Sequence, residues 1–288
     1  MTLAASPIVH HPFNFSILGF NFTGFGLAVL LAFLIAQIVS ERELARRGRD
    51  AEALAVSDVL FAALLGTIIG AKLYYVAVVT HNVRDLWSRG GFVFWGGFIG
   101  SVVCCWATIR YKKMSFVRFA DVAGIAIAAG YAVGRTGCWA VGDDYGKVYN
   151  GPLAVAFPEG IPPSTVGQLR EVFHITDLPA NLSPNTVLSV YPTQLLEVLL
   201  GFVMFLILWR LRDHDHAEGW LFGVWCVLAG VERFIVEFFR AKDDRFAWAG
   251  GLSMAQLIAI AIVIVGVAIM AARKRVSANR PGIVAATT

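Results

Sequence analysis

The chain has 288 residues, of which 57% are hydrophobic and 15% charged, and its mean hydropathy is +0.67. Soluble domains have about 45–50% apolar and about 25% charged residues, so this composition excludes an ordinary soluble protein. The formal net charge of +4 comes without a long basic run, which argues against a nucleic-acid partner. The four cysteines show no metal-ligand or disulfide-framework spacing. We therefore expect a membrane protein with no metal and no cofactor.

The apolar residues form seven stretches long enough to cross a bilayer, because a spanning helix needs about 20 residues. In chain order they are residues 18–40, 57–79, 91–110, 118–140, 192–211, 219–239 and 252–272. No Lys or Arg precedes Arg42, so the first stretch lacks the basic start of a cleaved signal peptide. The sequence predicts an all-α, polytopic membrane protein with seven transmembrane helices in a single domain, residues 1–288.

Lys and Arg are distributed unevenly between the two sides of this predicted bundle. The side reached after the first, third, fifth and seventh stretches holds twice as many of them as the other side. Basic residues accumulate in cytoplasmic loops. We therefore expect the N-terminus outside the cell and a cytoplasmic C-terminal tail, residues 273–288.

One long polar segment, residues 141–191, separates the fourth stretch from the fifth. Gly, Pro, Asn and Ser are scattered through it, as in turns. The segment is longer than an ordinary connection between helices. It is predicted to form an extracytoplasmic head or lid over an external opening.

Three basic residues, Lys72, Arg135 and Arg233, lie inside predicted spans. Such groups are costly in a bilayer and by default face the bundle interior or an aqueous cavity. Arg135 and Arg233 both lie toward the outer ends of their helices, where two guanidiniums could hold the phosphate of an anionic lipid. Structural pairing is the alternative, since Arg233 and Glu237 have i, i+4 spacing and Arg135 could pair with Glu197. Lys72 is expected to be ion-paired or to snorkel.

Glycines occur in two different settings. Gly66 and Gly70, four residues apart in the second stretch, are typical of close helix packing in membranes. Gly137, Gly142 and Gly146 instead continue past the fourth stretch into the polar segment. Glycine there permits a positive φ and exposes backbone N–H groups, so we expect a ligand-binding loop.

Four motifs occur in order along nearly the whole chain. They are Trp95-Gly96-Gly97-Phe98-Ile99-Gly100; Gly134-Arg135-Thr136-Gly137 with Gly142 and Gly146; Pro192-Thr193-Gln194-Leu195-Leu196-Glu197; and Glu232-Arg233-Phe234-Ile235-Val236-Glu237-Phe238-Phe239-Arg240. They resemble, respectively, H-G-G-x-x-G, G-R-x-G-N-x-x-N-G-E-x-x-G, H-P-S-Q-L-Y-E and F-R-x-x-V-E-F-x-R of the bacterial prolipoprotein diacylglyceryl transferase family. Each motif alone is weak, but four in order are strong evidence of a family relationship.

The resemblance implies a bacterial inner-membrane enzyme that transfers the diacylglyceryl group of phosphatidylglycerol to a cysteine thiol. That cysteine lies in the lipobox of a prolipoprotein signal peptide, so phosphatidylglycerol and these signal peptides are the expected partners. Two rival hypotheses stand beside it. One is a divergent transferase that uses the same lipid with another acceptor, and the other is a non-catalytic lipid-binding or transport protein on the same scaffold.

The resemblance also implies roles for individual residues. Arg135 and Arg233 match two family arginines and would stabilise the charge that develops on the leaving phosphate. Asp143 and Glu197 are further catalytic candidates, as bases for the thiol. The residues expected to bind phosphatidylglycerol are Arg135, Gly97, Gly137, Gly146, Gln194, Glu237 and Arg240.

Several residues depart from the family pattern. Trp95 and Tyr191 stand for histidines, Phe25 and Leu196 for tyrosines, Cys138 for an asparagine and Asp143 for a glutamate. Because Trp95 removes a histidine that could act as a base, Asp143, Asp144 or Glu197 would have that role if burial raised its pKa. Cys138 is either a nucleophile that carries a lipid intermediate or a small residue that fills space between helices.

Overall fold

The computed structural model describes residues 8–17, 20–88, 91–175, 178–179, 181–241 and 245–273, and these residues are mostly helical. The α-helices are α1 Gly24–Arg46, α2 Asp50–Leu54, α3 Val56–Tyr74, α4 Phe94–Tyr111, α5 Phe116–Val141, α6 Val166–Glu171, α7 Thr193–Leu211, α8 Trp220–Val236 and α9 Met254–Ala272. Of the predicted cytoplasmic tail, all but Arg273 lies outside the described residues.

Among the described residues, five segments are long and apolar enough to cross a membrane. They are α1, the continuous stretch Asp50–Thr80 that contains α2 and α3, α5, α7 and α9. The prediction of a polytopic, mostly helical membrane protein is thereby confirmed. The other two predicted spans are also helices, but α8 has only 17 residues, and α4 includes three glycines and Arg110 within 18 residues. Membrane crossing by α4 and α8 stays a prediction.

The first helix begins later than the sequence predicted. Residues Asn14–Ile17 (β2) and Phe20–Thr23 (β3) form an antiparallel hairpin, so α1 starts at Gly24 instead of residue 18. The Thr23 side chain accepts a hydrogen bond from the Gly26 amide. This bond satisfies a backbone donor that the first turn of a helix leaves unpaired, which explains the start.

Buried carboxylates organise the end of the bundle where α5 begins. Glu43 accepts hydrogen bonds from the guanidiniums of Arg46 and Arg47, and these pairs allow α1 to continue to Arg46, beyond the predicted end at residue 40. Asp121 of α5 is 1% exposed and accepts a hydrogen bond from the Gly219 amide at 2.7 Å. A buried charge needs such partners, and this one joins the start of α8 to α5.

Helices α3 and α4 pack with their backbones in contact. A Cβ atom on Gly66 would collide with the carbonyl of Gly100, and one on Gly70 would collide with the carbonyl of Gly96. Side chains at these positions would therefore push the two helices apart. The close packing that the sequence predicted for Gly66 and Gly70 is confirmed.

Lys72, in the same helix pair, is bound by the loop that follows α3. Its ammonium donates hydrogen bonds to the carbonyls of Asp85 (3.3 Å) and Ser88 (2.7 Å) and lies 5.0 Å from the centre of the Phe92 ring. These carbonyls and the ring face satisfy a cation that is nine-tenths buried. Its position gives Lys72 a structural role in the loop.

The described residues between 141 and 191 connect α5 to α7 and pack together with Ile8–Val9 and Ala241. Here Ile8–Val9 (β1), Val155–Ala156 (β4) and Ser189–Val190 (β5) form a sheet in the order β1-β4-β5, with β1 parallel and β5 antiparallel to β4. The buried core of this region contains Tyr145, Val155, Phe157, Leu169, Val190 and Ala241. Another short pair, Arg245–Phe246 (β6) with Leu252–Ser253 (β7), precedes α9. The all-α prediction did not include these strands, which are too short to show a period of two.

Helix α5 is central to the bundle and positions the site. It packs against α1, α7 and α8, and half of its most apolar segment is buried. Since α7 begins and α8 ends beside the last turns of α5, side chains from three helices meet there. This is the region in which the sequence placed most of its functional candidates.

Candidate active site

Four charged side chains meet at the end of α5, and we call Arg135, Asp144, Glu197 and Arg240 the charge ring. Arg135 Nη1 lies 3.0 Å from Asp144 Oδ2, and Arg240 Nη2 lies 2.7 Å from Asp144 Oδ1. Arg240 Nη1 is 3.7 Å from Glu197 Oε1, and Arg135 Nη2 donates a hydrogen bond to Glu197 Oε2. Positive and negative groups therefore alternate around the ring, and its formal charges cancel.

Burial differs around the charge ring. The side chains of Glu197, Arg240 and Arg135 are 2%, 10% and 12% exposed, whereas that of Asp144 is 40% exposed. Buried charges are tolerated when they are paired and hydrogen-bonded, which the alternating arrangement achieves. Asp144 is thus the member of the ring that solvent, or a ligand from solvent, reaches first.

A tight turn after α5 brings Asp144 back toward Arg135. Helix α5 ends at Gly142, which has a φ of +70°, and Asp144 itself has a φ of +53°. Glycine adopts the left-handed conformation without the cost of a Cβ atom. The Thr193 hydroxyl then donates a hydrogen bond to the Asp144 carbonyl at 2.8 Å and fixes the turn against α7.

Gln194 also holds this turn. Its side-chain Nε2 donates a hydrogen bond to the Asp143 carbonyl at 2.6 Å, and the residue is fully buried. The sequence assigned Gln194 to lipid binding, whereas the structure gives its amide to the backbone of the turn. Gln194 therefore helps to fix the turn that carries Asp143 and Asp144.

The predicted glycines occupy three different places. Gly146 pairs with Arg240 in an antiparallel bridge, and a Cβ atom there would collide with the Phe239 carbonyl. Gly137 packs α5 against α1, where a Cβ atom would lie 2.8 Å from the Cβ of Ala28. Gly97 packs α4 against Thr67 of α3. Only Gly146 of these three adjoins the charge ring.

Arg233 and Glu237 form a separate pair on α8 and just beyond its end. Arg233 Nη2 lies 2.6 Å from Glu237 Oε2, and Glu237 Oε1 accepts a hydrogen bond from Ser253 Oγ at 3.0 Å. Both ion pairs that the sequence gave as the structural alternative are therefore present. The Arg233 side chain is 32% exposed and that of Glu237 is 2% exposed.

Tyr131 links Glu197 of the charge ring to Glu232, the residue before Arg233, and was missed by the sequence reasoning. Its hydroxyl donates a hydrogen bond to Glu232 Oε1 at 2.9 Å and lies 3.4 Å from Glu197 Oε1. Tyr131 lies one turn before Arg135 on α5, so i, i+4 spacing was the signal available in the sequence. The tyrosine thereby places the Arg233 segment of α8 next to the charge ring.

The two adjacent aspartates beyond α5 have opposite acidities. Burial raises the pKa of Asp143, and the charge of Asp144 raises it further. Burial also opposes ionisation of Asp144, but the charge of Arg240 and hydrogen bonds from both ring arginines outweigh it and lower the pKa of Asp144 to about 2. Asp144 is thus a fixed anion, whereas Asp143 is the better proton acceptor.

Cys138 is a hydrogen-bonding neighbour of these groups. Its Sγ accepts a hydrogen bond from Arg135 Nη1 at 3.3 Å, and its thiol donates one to Asp143. Asp143 Oδ1 is buried without a hydrogen-bond partner among the described residues. Cys138 therefore contacts both Arg135 of the charge ring and the neighbouring Asp143.

Metal-ligand atoms are also grouped here. The Sγ of Cys138 and one carboxylate oxygen each of Asp143 and Asp144 lie within 4.8 Å of one another. However, the Arg135 guanidinium contacts both Cys138 and Asp144. A divalent cation at this position would face that positive charge directly, so the group suits a guanidinium better than a metal ion.

The positions that depart from the family motifs do not lie together. Trp95 is half exposed on α4, with its ring 5.6 Å from that of Phe94, and it is not a member of the charge ring. Tyr191 and Leu196 line an apolar groove of about 570 Å³ beside the start of α7. A second apolar cavity, of about 420 Å³, lies between α1, α3 and α5 and reaches Tyr131.

Comparison with known proteins places these motifs in one family. Residues 12–272 match the family model described as prolipoprotein diacylglyceryl transferase. A phosphatidylglycerol–prolipoprotein diacylglyceryl transferase of Geobacter sulfurreducens is 30% identical over 268 residues, which cover 89% of this chain and 93% of the relative. Proteins of the same name from Stenotrophomonas maltophilia (28% over 273 residues; 89% and 90%) and Erwinia tasmaniensis (30% over 268 residues; 90% of each) are similar. The chain belongs to the prolipoprotein diacylglyceryl transferase family.

Proposed function

We propose that this protein transfers the diacylglyceryl group of phosphatidylglycerol to the cysteine thiol in the lipobox of a prolipoprotein signal peptide. The observation that carries the proposal is the charge ring, which presents two buried guanidiniums beside a solvent-reachable carboxylate. Relatives that carry this activity in their names match nearly the whole chain. A site for a phosphate within an apolar bundle suits a lipid substrate.

The reaction exchanges one bond of the lipid for another. The thiolate sulfur attacks the diacylglyceryl carbon that carries the phosphate, and a carbon–sulfur bond forms. The bond from that carbon to the phosphate oxygen breaks, and glycerol phosphate leaves with the electron pair. Negative charge therefore moves from sulfur to phosphate, and cations near the phosphate lower the barrier.

Arg135 and Arg233 are the proposed cations near the phosphate, and Arg240 supports Arg135. The planar guanidinium of Arg135 lies in the charge ring. A phosphate competes there with Asp144, because the Asp144 carboxylate is more exposed than that of Glu197. Displacement of Asp144 leaves Arg135 and Arg240 facing the phosphate. Arg233, one-third exposed and held by Glu237, contacts the same group from α8.

Asp143 is the proposed base for the thiol. Its pKa is raised by burial, and a base is most effective when its pKa approaches the working pH. Glu197 is bound to both ring arginines, so its role is to hold them in place. The proposal thereby separates the two carboxylates that the sequence offered as catalytic groups.

The remaining predicted residues shape the site. Gly146 lets the turn approach α8, Gln194 fixes the backbone of Asp143, and Glu237 orients Arg233. Gly137 and Gly97 act through helix packing at a distance from the ring. These five positions therefore affect lipid binding through geometry.

The membrane arrangement belongs to the same proposal. Seven spans, an outside N-terminus, and a head formed by residues 141–191 on the outer face of the bacterial inner membrane would place the charge ring near the outer leaflet. The uneven distribution of Lys and Arg between loops supports this orientation. The head would then act as a lid between the lipid site and the incoming signal peptide.

Reconstituted transfer tests the proposal. Purified protein is incubated with phosphatidylglycerol labelled in its glycerol backbone and acyl chains and with a lipobox peptide, and label is expected on the peptide cysteine. Arg135→Ala and Arg233→Ala should each abolish transfer while the protein still inserts. Arg212→Ala removes an arginine that stacks on Trp209, 4.0 Å from its ring centre, and serves as the matched control with transfer retained.

The other outcomes distinguish the rival hypotheses. Transfer of label to an acceptor other than the peptide cysteine would indicate a transferase with a different acceptor. Tight lipid binding without transfer to any acceptor would indicate a lipid-binding or transport protein. Full activity of an Arg135→Ala, Arg233→Ala double variant would refute the proposed site.

A further inference from the structure

An apolar groove lies beside the charge ring, between the head and the start of α7. Its volume is about 570 Å³, and its lining includes Trp139, Tyr149, Leu153, Tyr191, Leu196 and Leu199. The groove is distinct from the cavity between α1, α3 and α5, with which it shares no lining residue. The proposed chemistry at the charge ring gives this groove no role.

Aromatic rings form one wall of this groove. The Tyr149 and Tyr191 rings are stacked, with centroids 3.9 Å apart and planes inclined by 15°, and the Trp139 ring lies on the same lining. Tyrosine and tryptophan accumulate at the boundary between the hydrocarbon core and the headgroups of a bilayer. The wall is therefore typical of the depth at which a phospholipid changes from polar to apolar.

The groove is continuous with an apolar face of α7. Leu195, Leu199, Phe202 and Leu206 follow one another at spacings of four, three and four residues, which places them on one side of the helix. Their exposed fractions lie between 43% and 58%. In a helix with the length and composition of a membrane span, this face contacts lipid tails, and Leu195 and Leu199 carry it into the groove.

Two residues of the groove lining contact the turn that carries Asp144. Thr193 lines the groove, and its hydroxyl donates a hydrogen bond to the Asp144 carbonyl. The Gly146 amide donates a hydrogen bond to the Tyr191 carbonyl at 2.8 Å. The groove is therefore adjacent to the Asp144 turn, and a molecule whose anionic head lay at the ring would have an apolar surface beside it for its tail.

We propose that this groove holds one acyl chain of the donor phospholipid while the charge ring holds its phosphate. The inference rests on the proposed function for the identity of the headgroup, but the groove itself is argued from its lining and its continuity with α7. Tyr191 and Leu196, two of the positions that depart from the family motifs, then set how long a chain the site accepts. A bulkier residue at Leu196 would shorten the groove.

Photo-crosslinking on the wild-type protein tests occupancy directly. The full chain is placed in nanodiscs of phosphatidylcholine that contain phosphatidylglycerol with a diazirine near the end of one acyl chain, and labelled peptides are mapped after irradiation. Label is expected in peptides spanning residues 149–155 or 191–199. Label confined to peptides of the α1, α3 and α5 cavity, absence of label, or labelling of the groove only by a photoreactive signal peptide would each overturn the proposal.

Chain-length kinetics provide the second test. Leu196→Trp should raise KM for dioleoyl phosphatidylglycerol about tenfold or more, the usual scale for a pocket that loses apolar volume, and leave KM for the dihexanoyl lipid unchanged. Leu206→Trp makes the same change on the same face of α7 outside the groove and should alter neither value. An equal effect on both lipids, or none, would overturn the proposal. If wild-type protein shows no transfer, the proposed function fails, and the crosslinks still decide the groove.

Discussion

Removal of the Glu197 carboxylate should destabilise the protein strongly. Glu197 is 2% exposed and contacts both ring arginines, so Glu197→Ala leaves two buried guanidiniums with Asp144 alone. Loss of one partner from a buried ion pair costs about 3–5 kcal/mol. Each kcal/mol lowers Tm by about 2–4 °C in a large domain, so we expect a fall on the order of 10 °C.

The matched control is Glu218→Ala. Glu218 also accepts a hydrogen bond from an arginine, Arg118, at 2.6 Å, but its side chain is 47% exposed. Exposed pairs contribute about 0–1 kcal/mol, so this variant should melt close to wild type. The two variants remove the same side chain from the same kind of ion pair, and they differ in burial.

Thermal unfolding in detergent can be followed with a maleimide fluorophore, because Cys138 and Cys226 are buried in the folded protein and Cys104 and Cys105 are only partly accessible. A second step uses Arg240→Leu together with Glu197→Leu. If burial makes the single changes costly, the double change should recover part of the loss, since no charge is then left without its partner. Equal Tm values for Glu197→Ala and Glu218→Ala would refute the view that the charge ring is desolvated and stabilising.

Other outcomes follow from the same geometry. Transfer should fail as pH falls through the pKa of Asp143, which burial raises above the ordinary aspartate value of 3.8, because Asp143 must be ionised to accept the thiol proton. The pH–rate profile of Asp143→Asn should lack this acidic limb, and the variant should lose most of the rate. The pKa of Asp144 is lowered to about 2, so its ion pairs stabilise the fold above about pH 4 and are lost as pH falls toward 2; Asp144→Asn should flatten Tm against pH across this window. Gly100→Ala should cost about 1–3 kcal/mol in thermal unfolding, whereas Gly134→Ala, whose new Cβ has 3.9 Å of clearance, should gain up to about 1 kcal/mol. Trp95→His should leave Tm and transfer unchanged, since the side chain is half exposed outside the ring.

The long helices could be predicted from hydropathy because a helix that crosses a bilayer needs a long run of mostly apolar residues. The ends of these helices were harder to predict from the sequence. Residues Phe20–Thr23 lie inside the first predicted span, yet they pair as a strand, and the helix begins only after the Thr23 cap. Such a choice depends on a partner strand, which apolar content alone does not reveal.

The charge ring could be predicted only in part. The sequence placed Arg135 and Glu197 in apolar stretches and gave their pairing as the structural alternative. It did not indicate that Asp144 would turn back to Arg135, because that depends on positive φ values at Gly142 and at Asp144 itself. Asp144 and Arg240 are also 96 residues apart. Contacts at such separations follow from helix packing, which no local pattern encodes.

A neutral ring also resolves a conflict in what the site must do. Two guanidiniums ready for a phosphate would repel each other in a low-dielectric interior if nothing lay between them. Asp144 and Glu197 remove that repulsion before the lipid arrives, but each carboxylate then competes with the phosphate. The two carboxylates compete unequally with the phosphate. Glu197, at 2% exposure, stays in place, whereas Asp144, at 40% exposure, becomes hydrated when it leaves the ring. Exchange of one anion for another keeps the ring close to neutral throughout, so binding costs far less than bringing an unpaired charge into the bundle.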